Sequence, residues 1–220
     1  FTDVIEDIVP QMISDGCKIY TYGTVDFWHR ITDAQGFLDC QKSILEGKTG
    51  LSFSAKQNDG GIYTDTLSNF SGVSIIPPVY IGRNVVIESG SVIEPGSVID
   101  DGAYIEKRTR ICGAYIGRGA YISSRCELMS CVICPGARLM RSACCGENSV
   151  VGERSCIGEG ARILDGVKIW AGKDVAHGSV VGENVRIGMG KPAFIDDDCS
   201  YGFDSCITLP SDTARFGMAV

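Results

Sequence analysis

Few of the 220 residues have the types and spacing that chemistry needs. The chain has only 2 His. His177, in Ala-His-Gly-Ser, could serve as a general base, the commonest catalytic use of an imidazole. A solvent-facing residue near a turn is its simpler reading. His29 follows Trp28 and could face a cleft, though a packed or exposed His explains it as well. Cys131-Val132-Ile133-Cys134 matches C-x-x-C, a spacing shared by zinc and redox sites. It lacks a second pair at suitable spacing and a nearby His, so free thiols are expected. Asp196-Asp197-Asp198 is acidic, but consecutive carboxylates cannot all face one ion, and a solvated linker is expected. On this reading no catalytic, cofactor-binding or metal-binding residue is assigned within the chain.

Composition narrows the partners. With 20 Lys+Arg against 27 Asp+Glu the net charge is −7, which argues against non-specific binding to nucleic acid or to an anionic membrane. No run approaches the ~18 apolar residues of a membrane helix, and no signal-peptide pattern opens the chain. The 11 Cys are odd in number in a chain that is not short, which argues against a secreted disulfide scaffold. A reducing cytoplasm is the expected setting.

The elements that must carry these residues follow from a repeat. Of 28 Gly, 18 fall between residues 73 and 190, together with regularly spaced aliphatics. From Ile75 in steps of six come Ile81, Ile87, Ile93, Ile99, Ile105 and Ile111. One residue is skipped, and Ile116, Ile122 and Leu128 continue. A second skip leads through Ile133, Leu139, Cys145, Val151, Ile157, Ile163, Ile169, Val175, Val181 and Ile187. Of these 20 positions 19 are Ile, Leu or Val.

A six-residue period is neither helical nor a plain alternating strand. Four residues after each aliphatic stands something small or branched, such as Val85, Ser91, Ser97, Ala103, Ala120 or Ala161. A turn-former such as Asn84, Gly90, Gly96 or Gly160 often precedes it. Each hexad therefore reads as a short strand and a corner. Three of them close a triangular coil, and the coils stack by hydrogen bonding. The fold class is mainly β, a parallel β-helix of six to seven coils, roughly 30 Å tall at ~4.8 Å per strand. Every third hexad then forms an interior ladder, with like side chains stacked on like. Cys145 and Cys126 are expected to point inward, and Cys112, Cys131, Cys134, Cys144 and Cys156 outward or to corners.

Before the repeat, Pro10 can open a short helix and Cys17–Val25 alternates as a strand. Thr32 with Gln35 reads as a capping box for a helix whose apolar face is Phe37, Leu38, Ile44 and Leu45, ended by Gly47. Helix–strand–helix over fifty residues is too little to fold alone and expects a larger α/β partner. The organisation read from the sequence is 1–50, the edge of an α/β domain; 51–72, a linker; and 73–190, the β-helix.

The hexads resemble those of hexapeptide-repeat proteins, whose β-helices are left-handed. Phe1–Pro10, "FTDVIEDIVP", resembles a late segment of the sugar-1-phosphate nucleotidyltransferases. Gly23–Lys48 is similar to their closing G-Y-W-x-D segment and the helix after it, with Phe27, Trp28, Phe37 and Ile44-Leu45-Glu46-Gly47-Lys48 at matching positions. The family's metal-binding Asp two residues after the Trp is Arg30 here, and its Gly two further on is Thr32. Lys168–Val181 resembles the last coils of mannose-1-phosphate guanylyltransferases fused to phosphomannomutases. In residues 191–220, Phe194, Gly202, Thr208, Pro210, Ala214 and Gly217 resemble the opening of a phosphohexomutase domain, with Ser211 in place of its Glu.

The resemblance implies part of a longer protein that joins a sugar 1-phosphate to a nucleoside triphosphate using Mg²⁺, with the β-helix as spacer and homo-oligomer contact. No cofactor is expected in the segment itself, and the segment alone is expected to be inactive. Arg30 and Thr32 imply either lost catalysis, as in a regulatory pseudo-enzyme, or a different way of neutralising phosphate charge. The rival is a hexapeptide acyltransferase, which would use His177 beside an acyl-CoA. Such enzymes usually push a long loop out of a coil, whereas both register breaks here are deletions.

Overall fold

The hexad builds a coil because its two inward positions differ in size: a small residue at the corner and a branched one at the strand end fill a triangular section. The computed structural model describes residues 4–51, 61–64 and 70–185. Nineteen two- or three-residue strands, from Ser74–Ile75 to Val180–Val181, coincide with the hexads from Ile75 to Val181. All neighbouring strands are parallel and lie in three sheets. The molecule is a left-handed β-helix of about six coils.

The first face runs from Ile62–Thr64 and Val79–Ile81 down to Lys168–Ile169. The second runs from Ser74–Ile75 to Val180–Val181, and the third from Val86–Ile87 to Asp174–Val175. Pairing is in register, with Ile99 opposite Ile116, Ile105 opposite Ile122 and Leu128 opposite Cys145. Apart from Ile75, which is partly exposed, the interior ladders are buried throughout the described residues, and Ile187 lies outside them. Burying each such side chain contributes about 1.5–3 kcal/mol. Backbone bonds between coils, such as Tyr104 N to Ala120 O and Glu106 N to Ile122 O, both 2.9 Å, satisfy the polar groups that burial strands.

Corners turn through residues of positive φ. Many are Gly as expected, but Arg108, Arg125, Ser142 and Arg154 also adopt it, at φ 61°, 63°, 58° and 56°. Such backbone costs about 1–3 kcal/mol per residue, offset by bonds such as Arg108 N to Ser89 O and Arg154 N to Pro135 O. Close approach is strict at Gly152, where a Cβ would lie 2.4 Å from Ala171 N. The small inward position also holds one exception, Lys173, which is only 3% exposed.

Several sequence expectations change. The stretch read as a linker contributes a strand, Ile62–Thr64, that pairs with Val79–Ile81. Cys17–Val25 forms no strand: alternation makes a strand only where another strand supplies hydrogen bonds, and none lies beside it among the described residues. Its Tyr20, Tyr22 and Val25 are exposed. A wide turn of helix at Val4–Ile8 precedes α1, Val9–Ser14, which carries Pro10 in its first turn. Helix α2, Ala34–Leu45, is capped by Asp33, whose carboxylate accepts from Gly36 N at 2.8 Å. Thr32 is not the cap, and Gln35 bonds Asp39 one turn on. Gly47, at φ 71°, ends the helix as expected.

Candidate functional site

The two skipped residues fall at one edge of the prism. Ile111 to Ile116 turns through Gly113, and Leu128 to Ile133 turns through Ser130, each a corner one residue short between the second and first faces. Both turn residues have positive φ, 58° and 42°, and a Cβ on Gly113 would lie 3.3 Å from Ser130 Oγ. Helix α2 runs beside this edge, and Gln35, Leu38, Asp39 and Lys42 share a cleft with Gly96, Gly113 and Ser130. Leu38 and Leu45 are buried, at 6% and 2% exposure. Phe37 meets Tyr115 edge to face, with ring centres 5.3 Å apart. Gln41 Nε2 donates to Gly96 O at 2.7 Å, and Tyr63 OH donates to Leu45 O at 3.4 Å.

Beside this contact a cavity of about 250 Å³ is walled by Ile31, Phe37, Cys40, Gln41, Ile44, Val98 and Tyr115. Burial, with the Asp100 carboxylate next, pushes the Tyr115 phenol up to about 12, and its hydroxyl donates to Asp100 Oδ2 at 3.2 Å. On the other side of α2 a polar cleft of about 350 Å³ includes Asp39, Lys42, Cys112, Ser130 and Glu147. Burial, then the Glu94 carboxylate, raises the Cys112 thiol to about 11, so it is not a ready nucleophile.

The residues singled out from the sequence do not come together. His177 is exposed at a corner between the third and second faces, and its ring makes no hydrogen bond among the described residues. Without a partner to orient it, its imidazole lacks the support a catalytic base receives. His29 packs: Nε2 lies 2.7 Å from Gly36 O and the ring stacks on Phe27, which ties the chain into the start of α2. Trp28 and Arg30 are exposed. Cys131 is fully buried and points inward, not outward. The short corner at Ser130 advances it to the small inward position, inside the prism near Cys145. Cys134 lies on the outer wall, so the C-x-x-C thiols stand on opposite sides of the coil and cannot share an ion. No group of three or more potential metal-ligating side chains occurs among the described residues. Asp196–Asp198 and the mutase-like stretch 191–220 lie outside the described residues.

The sequence reading missed the seat of α2 and the outer wall of the third face. On that wall Tyr104 and Tyr121 stack with centres 5.7 Å apart, and Arg138 caps Tyr121 at 5.7 Å. Glu88 accepts from Tyr104 OH at 2.6 Å, and Glu106 accepts from Tyr121 OH and from Ser123 Oγ.

Comparison with solved structures identifies the architecture. A Bacillus cereus protein provisionally named an acetyltransferase superposes with a TM-score of 0.51 at 15% identity, over 73% of this chain and 90% of that one. The fold is that of the hexapeptide-repeat β-helix proteins. A hexapeptide transferase family protein from Anaplasma phagocytophilum matches at TM-score 0.43 and 18% identity, over 72% of this chain and 90% of that one. A GDP-perosamine N-acetyltransferase variant from Caulobacter crescentus matches at 0.35 and 25%, over 52% and 47%. No family model and no curated protein matches the sequence. At such identities the likeness establishes shared architecture, and the chemistry rests on the site. No helix among the described residues is long and apolar enough to cross a membrane.

Proposed function

We propose that this chain is part of a transferase that makes nucleotide sugars, and that its β-helix is the scaffold that seats the segment closing the catalytic α/β unit. The reaction joins a sugar 1-phosphate to a nucleoside triphosphate: a phosphate oxygen attacks the α-phosphorus and pyrophosphate leaves. The supporting observation is the seat of α2. The segment that resembles the end of a sugar-1-phosphate nucleotidyltransferase is held against the β-helix, through Gln41 on Gly96 and Phe37 on Tyr115. In-line transfer chiefly needs positive charge around the phosphates. Mg²⁺ would supply most of it, and Arg30, exposed and without an ion pair among the described residues, can add to it at the position where the family has a carboxylate. Mannose 1-phosphate and a guanine nucleotide are the preferred pair, the mutase-like stretch being the source of the sugar phosphate. A cytosolic setting and self-association through the β-helix belong to the same proposal.

A second reading, a hexapeptide acyltransferase, is favoured by the architecture shared with the Bacillus cereus protein. In that case His177 is the base. One experiment separates them: the protein at its natural length, assayed for Mg²⁺-dependent pyrophosphate release over a panel of sugar 1-phosphates and nucleoside triphosphates. The first reading expects turnover with a hexose 1-phosphate and no change with His177→Ala. Silence across the panel together with thiol release from acetyl-CoA, abolished by His177→Ala, overturns it.

A further inference from the structure

The second face carries a pattern that is complementary to itself. Glu127 pairs with Cys144 and Cys144 with Arg162, while Leu128, Cys145 and Ile163 beside them are buried, so the three are successive rungs of one outward column. Two residues further along the chain from each stand Met129, Gly146 and Leu164. The six surround a shallow depression of about 190 Å³, with Gly146 as the notch between two apolar side chains. Leu164 is 43% exposed.

The two charges are not served within the chain. Glu127 and Arg162 are exposed, and neither makes an ion pair among the described residues. They stand two rungs apart, roughly 10 Å at ~4.8 Å per strand. Arg110, the rung before Glu127, is held by Glu94 at 2.7 Å, and the rung after Arg162 is Val180. Asp165, at the rim of the depression, accepts from Glu147 N at 2.9 Å. The other faces differ: α2 lies over Tyr115 on the first, and on the third Tyr104 and Tyr121 donate to carboxylates of their own wall.

We propose that a second copy of this chain docks on this face, antiparallel, about a two-fold axis along the strand Cys144–Cys145. A half-turn about that axis keeps the strand direction and inverts the order of the rungs. Glu127 of each copy then faces Arg162 of the other, Met129 faces Leu164, and Cys144 and Gly146 face themselves. Each ionic and each apolar contact is made twice, as a two-fold interface requires. Gly146, without a side chain, lets the two walls approach on the axis. This rests on the self-association proposed above and gives it a surface and a symmetry.

Sedimentation velocity of the full chain tests it by charge reversal. The natural sequence is expected to be a dimer. Glu127→Arg and Arg162→Glu each set like charges face to face twice, so each should weaken the dimer at least about ten-fold. Mixed in equal amounts, the two variants are complementary at both pairs, and a mixed dimer should form about as tightly as the natural one. A fluorescent label on one variant reports it. No contact within a single chain can produce that rescue. A monomeric natural chain overturns this proposal together with the self-association above. An oligomer that neither substitution weakens, or that mixing does not restore, overturns this one alone, and pyrophosphate release tests the catalytic reading separately. Should a variant fail to fold, a short bismaleimide on the natural sequence decides by peptide mass spectrometry. A Cys144-to-Cys144 link, which only two copies can form, is expected, and its absence overturns the proposal.

Discussion

Glu106 shows how single residues hold the outer wall. Its carboxyl lies below the ordinary 4.5, chiefly because the Tyr121 hydroxyl donates to it, then the Ser123 hydroxyl. Ser124 N adds a third bond, at 2.8 Å. Glu94 is lowered as well, first by Arg110 and then by Cys112. A carboxyl depressed in the folded state stabilises fully above its unfolded value and loses that contribution as pH falls through the folded one. Stability should therefore hold near neutral pH and fall below about 4.5 as these groups protonate. Glu106→Gln should lower the urea midpoint at neutral pH and make the acid limb of the midpoint-against-pH curve shallower. An acid limb unchanged by the substitution would show that Glu106 is not among the groups responsible. The interior behaves differently: the neighbouring Cys131 thiol and then burial hold the Cys145 thiol well above the ordinary range, so it acts as packing.

At the scale of elements, α2 is held by a handful of side chains against the β-helix. Its grip is mostly Leu38 and Leu45, with Phe37 on Tyr115 and one amide bond to Gly96. Leu38→Ala should cost about 2–5 kcal/mol of that grip. Hydrogen exchange should then quicken throughout Ala34–Leu45 while the strand amides of the coils keep their protection. Loss of protection in both would mean that α2 and the coils unfold as one unit. The helix and its Gly47 stop were legible because local pattern decides them. The cap was not: Thr32 and Asp33 are equally good cap residues on paper, and it is the Asp33 carboxylate that accepts from Gly36 N. The strand at 17–25 was misread because alternation describes faces and says nothing about a partner. The inward turn of Cys131 was lost by counting across the second short corner without shifting the count.

Over the whole molecule the interior ladders were readable residue by residue, because a stack in which every layer meets the same wall demands the same residue type at each step. The same geometry sets how damage spreads. Each coil touches only its neighbours, so stability is a sum of nearest-neighbour terms and not a property of one shared centre. On the third face Ile122 is covered by Ile105 above and Leu139 below, whereas Ile87, 8% exposed, has Ile105 as its only sheet neighbour among the described residues. Ile122→Ala should therefore cost toward the upper end of the usual ~2–5 kcal/mol, and Ile87→Ala toward the lower. Combining substitutions sharpens the test. Ile87 and Ile157 stand four strands apart, roughly 19 Å at ~4.8 Å per strand, so their alanine costs should add to within about 0.5 kcal/mol. Ile105 and Ile122 are in contact through the register, and their double substitution merges two small cavities into one that neighbouring coils can partly close. That pair should cost measurably less than the sum of its parts. Urea midpoints at constant slope supply all six numbers. Equal single costs at Ile87 and Ile122, with both pairs strictly additive, would mean that the coils do not behave as a one-dimensional stack.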